Sequence, residues 1–508
     1  MPTLTFTSRI DVPAEALFAW HARPGAFQRL QPPWADVRLE HSEGIRDGQR
    51  AVIRIGAGPL RRTWVARHHD YIEGQQFCDT QEQGLFRRWT HRHSMEPDGP
   101  DASLLTDHID YALPLGGLGE AVGGGLVRTQ LERQFAYRHR ITRHDLALHR
   151  RYNPGGRSLR LAVSGASGLL GTSLVSLLTT GGHTVRRLVR RRPTHDEAIY
   201  WNYQTGEIDA EKLEGLDAVI HLAGETVFAP RWTAAKQKRI LESRSLGTRL
   251  ISETLARLKQ PPGAFLSASG THYYGIGHRH ALTEASPPGE AGFLTSVTHA
   301  WEAATRPAED AGIRTVRLRI GAVLTPRGGA LAKMLLPFRL GLGGRVSPKD
   351  QHFSWIGLDD VLGAIYHLLM TDAAGGINLT APNPVTMGVY TKTLARVLRR
   401  PALFAAPTPL VRLASGAVAD EVLFASARVL PERLLQTGYA FLFPTLEERL
   451  DPEVFFRIHR SAIVRLDRIE SLLHGVGGDY AVRLKNGRRV KVSRGRREEL
   501  EQRLGLIL

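Results

Sequence analysis

The run RLAVSGASGLLGTSLVSLLTT, Arg160 to Thr180, decides the fold. Leu159 to Ser164 is a short apolar stretch of the length of a buried strand. It feeds Gly165-x-x-Gly168-x-x-Gly171 and then an apolar helical stretch, Thr172 to Leu178. Strand, glycine turn and helix in that order form the context a dinucleotide site requires. Gly165 permits the tight turn, Gly168 lets the backbone approach a pyrophosphate, and Gly171 allows the helix to pack closely on the strand. The helix N-terminus favours the negative charge. The cofactor contacts expected here are Gly165, Ser167, Gly168, Leu169, Leu170 and Gly171.

The next strand, HTVRRLV from His183 to Val189, ends in Arg190, Arg191 and Arg192 rather than in an acid. An acid there would bind the ribose 2′-hydroxyl of NAD, whereas arginine accommodates the 2′-phosphate of NADP. NADP is therefore expected in preference to NAD, with Arg190 and Arg191 as contacts. LDAVIHLAGETV, Leu216 to Val227, supplies another buried strand, after which Leu222, Ala223 and Gly224 would pass the cofactor. AFLSASGTHYYG (Ala264 to Gly275) and RTVRLRIGAVL (Arg314 to Leu324) continue the alternation of strand and helix. The implied fold is an α/β doubly wound parallel sheet of Rossmann type.

Five further segments narrow the reading: RWTAAKQKRILESRSLGT (Arg231 to Thr248), SASGTHYYG (Ser267 to Gly275), FSWIGLDDVLGAI (Phe353 to Ile365), NLTAPNPVT (Asn378 to Thr386) and RVLPERLLQTGYAFLFPTLEERL (Arg428 to Leu450). With the glycine motif they resemble the extended short-chain dehydrogenase/reductase family, and within it the YfcH-like epimerase branch, over Leu159 to Leu450. The resemblance implies an NAD(P)-binding domain over 159–385 and a smaller part, 386–450, closing a substrate cleft. It also implies hydride transfer assisted by a serine and a Tyr-x-x-x-Lys pair. Ser269 is the expected serine, with Ser267 as the alternative. The pair should fall within GFLTSVTHAWEAA, Gly292 to Ala304, which holds neither tyrosine nor lysine. The YfcH-like branch tends to lack the pair. Tyr273, Tyr274 and His299 are the candidate proton donors, while Trp301 and Glu302 read as packing and capping residues. Two readings stay open: an NADP-dependent oxidoreductase or epimerase, and a non-catalytic NADP(H) sensor.

Residues 1–150 read as an α+β unit. LTFTSRIDV, RAVIRIG, RTWVARHHDYI and SLLTDHIDYAL alternate as half-buried strands. Val127, Leu131 and Phe135 recur four apart on one face of a long helix from Gly125 to about Arg150. A curved sheet wrapped on a helix around an apolar cavity is expected. FCDTQEQGLFRRWTHRH, Phe77 to His93, resembles START-like (SRPBCC, polyketide-cyclase-like) domains, which implies a helix-grip fold holding a hydrophobic ligand. His91 and His93 share a strand face, but the spacing indicates no third ligand, and no metal is expected. Asn-Pro-Gly-Gly punctuation makes 151–158 a linker.

Residues 452–508 form a small, basic, β-rich tail in which Asn486-Gly487 signals a hairpin. His459-Arg460-Ser461, Ile463-Val464 and Val492-Ser493-Arg494 resemble the second half of a LytTR DNA-binding domain, although Arg465 stands where that family usually has asparagine. The resemblance implies DNA as a partner, contacted by Arg460 and Arg494.

Composition sets the frame. At 508 residues the chain exceeds one ordinary core. The net charge of +17 arises from a chain-wide preference for arginine, since residues 1–150 contain no lysine. A single cysteine, Cys78, excludes an intrachain disulfide framework and a Cys-rich zinc site. The first residues lack a signal peptide pattern and no apolar run reaches 18 residues, so the cytoplasm is expected and a membrane partner is not.

Overall fold

In the computed structural model, residues 2–508 are described except 57, 59–60, 194–196, 279, 451–454, 460–461, 467–468, 475–479, 486–487, 494–495, 498–499, 502–503 and 505–508. Seven antiparallel strands open the chain: β1 Thr3–Ile10, β2 Val37–Ser42, β3 Arg50–Ile55, β4 Arg62–Ile72, β5 Gln76–Gln83, β6 Arg88–Pro97 and β7 Ser103–Ala112. Their order is β1-β7-β6-β5-β4-β3-β2. Helices α1 Ala14–Ala22 and α2 Ala26–Leu30 follow β1, and α3 Gly117–Tyr152 closes the unit.

The sheet grips α3 through Leu131 and Phe135, which pack with Trp64, Trp89, Ile109 and Tyr111. Phe135 stacks on Phe6 at 4.9 Å between ring centroids. Part of the sheet face expected to enclose an apolar cavity carries buried His91, His93 and Asp107, and His21 of α1 and His139 of α3 are buried as well. Residue pairing explains the assembly: Asp79 of β5 lies opposite His91 of β6, and His93 lies opposite Asp107 of β7. Directly paired residues project to the same side of a sheet. The helix also runs beyond its expected end, through Arg151 and Tyr152.

The second sheet is built on β8 Arg160–Ser164, α4 Leu169–Thr180, β9 Thr184–Val189, β10 Ala198–Asn202, β11 Glu207–Ile208, β12 Ala218–His221, α5 Ala234–Ala256, β13 Ala264–Gly270 and α6 Phe293–Ala303. Strands Arg314–Ile320 and Gly375–Leu379 complete it. The order is β11-β10-β9-β8-β12-β13, then Arg314–Ile320, then Gly375–Leu379. All neighbours are parallel except β10 and β11. Leu161, Ala162 and Val163 of β8 are fully buried, as a central parallel strand covered on both faces demands. The chain reverses direction across the sheet between β8 and β12, where doubly wound folds bind their ligands.

The two units share a packed junction. Arg29 of α2 pairs with Asp145 of α3 at 2.7 Å and with Asp359 of helix Leu358–Leu369 at 3.3 Å, all three side chains being buried. Tyr366 of that helix places its hydroxyl 3.4 Å from His149 Nδ1 and 3.0 Å from His183 Nε2. In the tail, strands Phe455–His459 and Ala462–Arg465 pair with each other, and Ile469–His474, Tyr480–Leu484 and Arg489–Val492 form a second antiparallel sheet. Val464, Val482, Val492 and Leu500 form its small core. The last two strands make the expected hairpin, although Asn486 and Gly487 lie outside the described residues. No described helix is long and apolar enough to cross a membrane.

Candidate active site

The glycine loop divides its work by geometry. Gly165 has φ +67°, and a Cβ there would stand 2.8 Å from the Leu222 carbonyl carbon. At Gly171 a Cβ would stand 2.1 Å from the Gly165 oxygen, so any side chain would push α4 off the turn. At Gly168 the nearest atom to an added Cβ is the Gly165 oxygen at 3.2 Å, and both Gly168 and Ser167 are exposed. The loop is thus closed on one side by the backbone of Leu222 and Ala223 and on another by its own, and open above the first turn of α4, where Leu169 and Leu170 are half-buried. This is the cradle a dinucleotide requires.

Ser164 ties the loop to its neighbour. Its Oγ lies 2.6 Å from His221 Nδ1 and accepts the N–H groups of Leu222 and Ala223 at 3.1 and 3.3 Å. Burial, assisted by Arg244, pushes the His221 imidazole down to about 3, so the ring is neutral and Nδ1 accepts the Ser164 proton. Gly224 follows, and a Cβ there would come 3.2 Å from the Arg244 guanidinium carbon. Arg244 donates to the carbonyls of Glu225 and Ile240 and lies over the Trp301 ring at 4.9 Å. Burial pushes it down to about 10. Among the described residues it has no carboxylate within ion-pair distance, so it is a cation held between the cofactor loop and α6.

At the end of β9, Arg190 and Arg191 are exposed and form no ion pair among the described residues. Arg192 is committed elsewhere, 3.4 Å from Glu207 and over the Tyr200 ring at 4.5 Å. Glu225 pairs with Lys236 at 2.5 Å, and that bond, with a smaller effect of Arg190, holds its carboxyl below the usual range.

A second constellation lies where β13 ends. Ser269 Oγ donates to Glu302 Oε1 at 2.7 Å, and Arg319 grips both carboxylate oxygens of Glu302 at 2.9 Å each. Arg319 also donates to the Tyr274 hydroxyl at 2.9 Å, which in turn donates to Asn378 Oδ1 at 2.7 Å. All five side chains are buried. Burial works against the Arg319 charge, but Glu302 outweighs it and holds the guanidinium above its usual range. Burial likewise raises the Tyr274 phenol.

This arrangement places three of the residues singled out in the sequence. Tyr274 has both its proton and an oxygen lone pair engaged and is closed to solvent, so it is part of the scaffold. His299 Nε2 is 3.0 Å from the Tyr273 carbonyl oxygen and so holds the Tyr273 backbone. Glu302, read as a packing residue, is the hub. The signal that could have found it is the spacing: Thr298 and Glu302 stand four apart on α6, where the lysine of the absent pair would fall, and Arg319 lies on the neighbouring strand directly opposite Ser269. Charge at that point is supplied by a Glu–Arg pair. Tyr273 is the remaining candidate: the Arg319 guanidinium lies 3.3 Å from its ring centroid, and its hydroxyl has no hydrogen bond among the described residues. Ser267, fully buried, bonds only to the Ala268 carbonyl among the described residues. Arg460 and Arg494 lie outside the described residues.

Sheet order, glycine loop and open helix N-terminus define a doubly wound dinucleotide-binding protein. Residues 161–379 match the family model described as NAD dependent epimerase/dehydratase family. An epimerase family protein of Mycobacterium bovis, Mb2239, is 36% identical over 291 residues, which is 57% of this chain and 96% of that relative. The chain belongs to the epimerase family. A crystal structure of a nucleoside-diphosphate sugar epimerase from Corynebacterium glutamicum is 30% identical, with a TM-score of 0.72 over 88% of this chain and 89% of that one. The human epimerase family protein SDR39U1, solved with NADPH, is 34% identical, with a TM-score of 0.53 over 58% of this chain and 98% of that one. Residues 10–135 match polyketide cyclase / dehydrase and lipid transport, 406–451 a domain of unknown function (DUF1731), and 443–505 a LytTr DNA-binding domain. The last match begins before the tail: Phe443 and Leu446 are buried, and Leu446 packs in a core with Trp355 and Tyr390.

Proposed function

We propose that the chain binds NADP(H) in the crevice between the ends of β8 and β12 and acts as an oxidoreductase or epimerase on a compound bearing a carbonyl or hydroxyl group. One observation carries the catalytic part. Glu302, Arg319 and Tyr274 engage one another, while the Tyr273 hydroxyl, beside a fixed cation, has no hydrogen bond among the described residues. The first turn of α4, from Gly168, would receive the pyrophosphate, with Gly165, Ser167, Leu169, Leu170 and Gly171 shaping the loop. Leu222, Ala223 and Gly224 would line its far side, and Arg190 and Arg191 would take the 2′-phosphate. NADPH in the human relative supports this choice.

The cofactor supplies the hydride or accepts it. Ser269 donates its hydrogen bond to Glu302, which leaves its oxygen lone pairs to accept one from a substrate hydroxyl. Tyr273 gives or takes the substrate proton, and Arg319, stacked on its ring, fixes the position from which it does so. The helix-grip unit would hold an apolar ligand, in keeping with its matched description.

The test uses the full chain with NADPH and a panel of carbonyl compounds and nucleotide sugars. Sustained turnover that falls at least a hundredfold in Tyr273→Phe, with little change in NADPH affinity, supports the reading. Tight NADPH binding with no turnover across the panel overturns it. Arg190→Glu should weaken NADPH tenfold or more and shift preference toward NADH, and an unchanged preference removes the phosphate assignment.

The match at 443–505 favours a second reading, a non-catalytic NADP(H) sensor that contacts DNA through its tail. Gel retardation over a salt series tests it. Binding through phosphates weakens steeply as salt rises, and absence of binding at low salt rejects this reading.

A further inference from the structure

We propose that the helix-grip unit holds a divalent transition metal, of which zinc is the type, on Asp79, His91 and His93. The three donor atoms lie within 4.8 Å of one another. Ligands about 2.0–2.2 Å from a zinc ion in tetrahedral array stand roughly 3.3 Å apart, so rotamer shifts of about 1 Å bring these side chains onto one ion. The backbone already aims them. Asp79 and His91 are directly opposed on β5 and β6, and His93, two residues along β6, projects to the same face.

The surroundings are those of a metal centre. His91 Nδ1 lies 3.1 Å from Asp79, and its Nε2 lies 3.1 Å from Asp107. Asp107 also accepts from His139 Nε2 of α3 at 2.8 Å. A carboxylate on one ring nitrogen is the usual outer support of a metal-bound imidazole, and Asp107 stands so on His91 Nε2; Nδ1, now in contact with Asp79, would turn that contact over to an ion held by both. Asp107 therefore orients and Asp79 ligates. His93 supplies the second, independent sign. It is 7% exposed, and its Nδ1, 2.6 Å from Asp107, makes no aligned hydrogen bond there, so a buried nitrogen of the cluster is held by contact alone. Asp79 is the least enclosed of the three, with 15% of its side chain exposed. Three protein ligands of nitrogen and oxygen leave a fourth position for water or an incoming oxygen ligand, the composition of a reactive rather than a purely structural zinc site.

The experiment titrates chelator-treated full-length protein with Co²⁺ and follows visible absorption, with Zn²⁺ as competitor. One equivalent should bind with the strong bands of a four-coordinate site and be displaced by Zn²⁺. His93→Gln and Asp79→Asn should each weaken binding at least tenfold, while Cys78→Ser leaves it unchanged. No binding, or binding unaltered by His93→Gln and Asp79→Asn, overturns the proposal. So does a thiolate charge-transfer band lost in Cys78→Ser, which would place the ion at His69, Asp70 and Cys78 instead. Thermal unfolding of each variant without metal identifies one that has merely lost its fold. In that event Asp79→Glu, which keeps the carboxylate, must still bind Co²⁺, and its failure to do so also overturns the proposal.

Discussion

The two large units each bury a cluster of charged side chains, and they neutralise it in different ways. Around Glu302 a bidentate guanidinium, a serine and a tyrosine complete one another, with the fork-to-fork geometry that makes such pairs strong. Around Asp107 three imidazoles crowd one carboxylate, and His93 is left poorly aligned. A closed cluster acts as scaffold, fixing Ser269 and the Tyr273 ring. An open one has donor capacity to spare. The difference lies in directionality: a planar fork meets two carboxylate oxygens at once, whereas His91 and His93 both crowd Asp107 Oδ1, and His93 meets it out of line.

Substitutions break or sharpen this contrast. Glu302→Ala leaves Arg319 buried without its counter-charge and should cost about 3–5 kcal/mol in denaturant unfolding. A loss under about 1 kcal/mol would mean that the cluster is not closed. Gly171→Ala should lower NADPH affinity a hundredfold or more in a titration, because its Cβ would meet the Gly165 oxygen at 2.1 Å, while Gly168→Ala should cost far less. Equal effects would show that the loop is not asymmetric. His93→Gln, in metal-free protein, should change stability by less than about 1.5 kcal/mol, since the open cluster loses no well-aligned bond. A larger loss would put His93 in the scaffold class.

The smallest effect is expected at the junction between the units. Burial, then the nearby charge of His183 or Arg23, pushes His149 to about 3 and His183 to about 4, whereas each titrates near 6.5 when unfolded. A histidine pKa lowered by folding means that the unfolded chain binds more protons below pH 6.5. Stability from these groups is therefore full above that pH and is lost as pH falls from about 6.5 toward 4. The melting temperature should drop by several degrees over this window, and His183→Gln should flatten that limb.

The doubly wound sheet was legible because Gly165, Gly168 and Gly171 act through local backbone geometry, which a single stretch of sequence states in full. The helix-grip strands were legible from alternation, and Leu131 and Phe135 from their spacing of four. The Glu302 cluster was not, because its members come from β13, α6, strand Arg314–Ile320 and strand Gly375–Leu379, and nothing local to Glu302 announces Arg319 or Asn378. The third partner of His91 and His93 was hidden for the same reason: Asp79 is a neighbour only through strand register. Arg244 escaped notice because, in an arginine-rich chain, one more arginine on a helix carries no signal until its surroundings are seen.

Helix α3 has a consequence for how this chain can be divided. One stretch of it, around Leu131 and Phe135, fills the grip of the first sheet, while its last turns hold Asp145, His149 and Tyr152 against Arg29, Tyr366 and His367. A cut placed in the apparent linker at 151–158 would strip the second unit of a rib it packs on, and would leave the first with Asp145 and His149 newly facing water. In this chain the two units are expressed and purified most naturally as one body, and a protease seeking the seam between them should find it guarded from both sides.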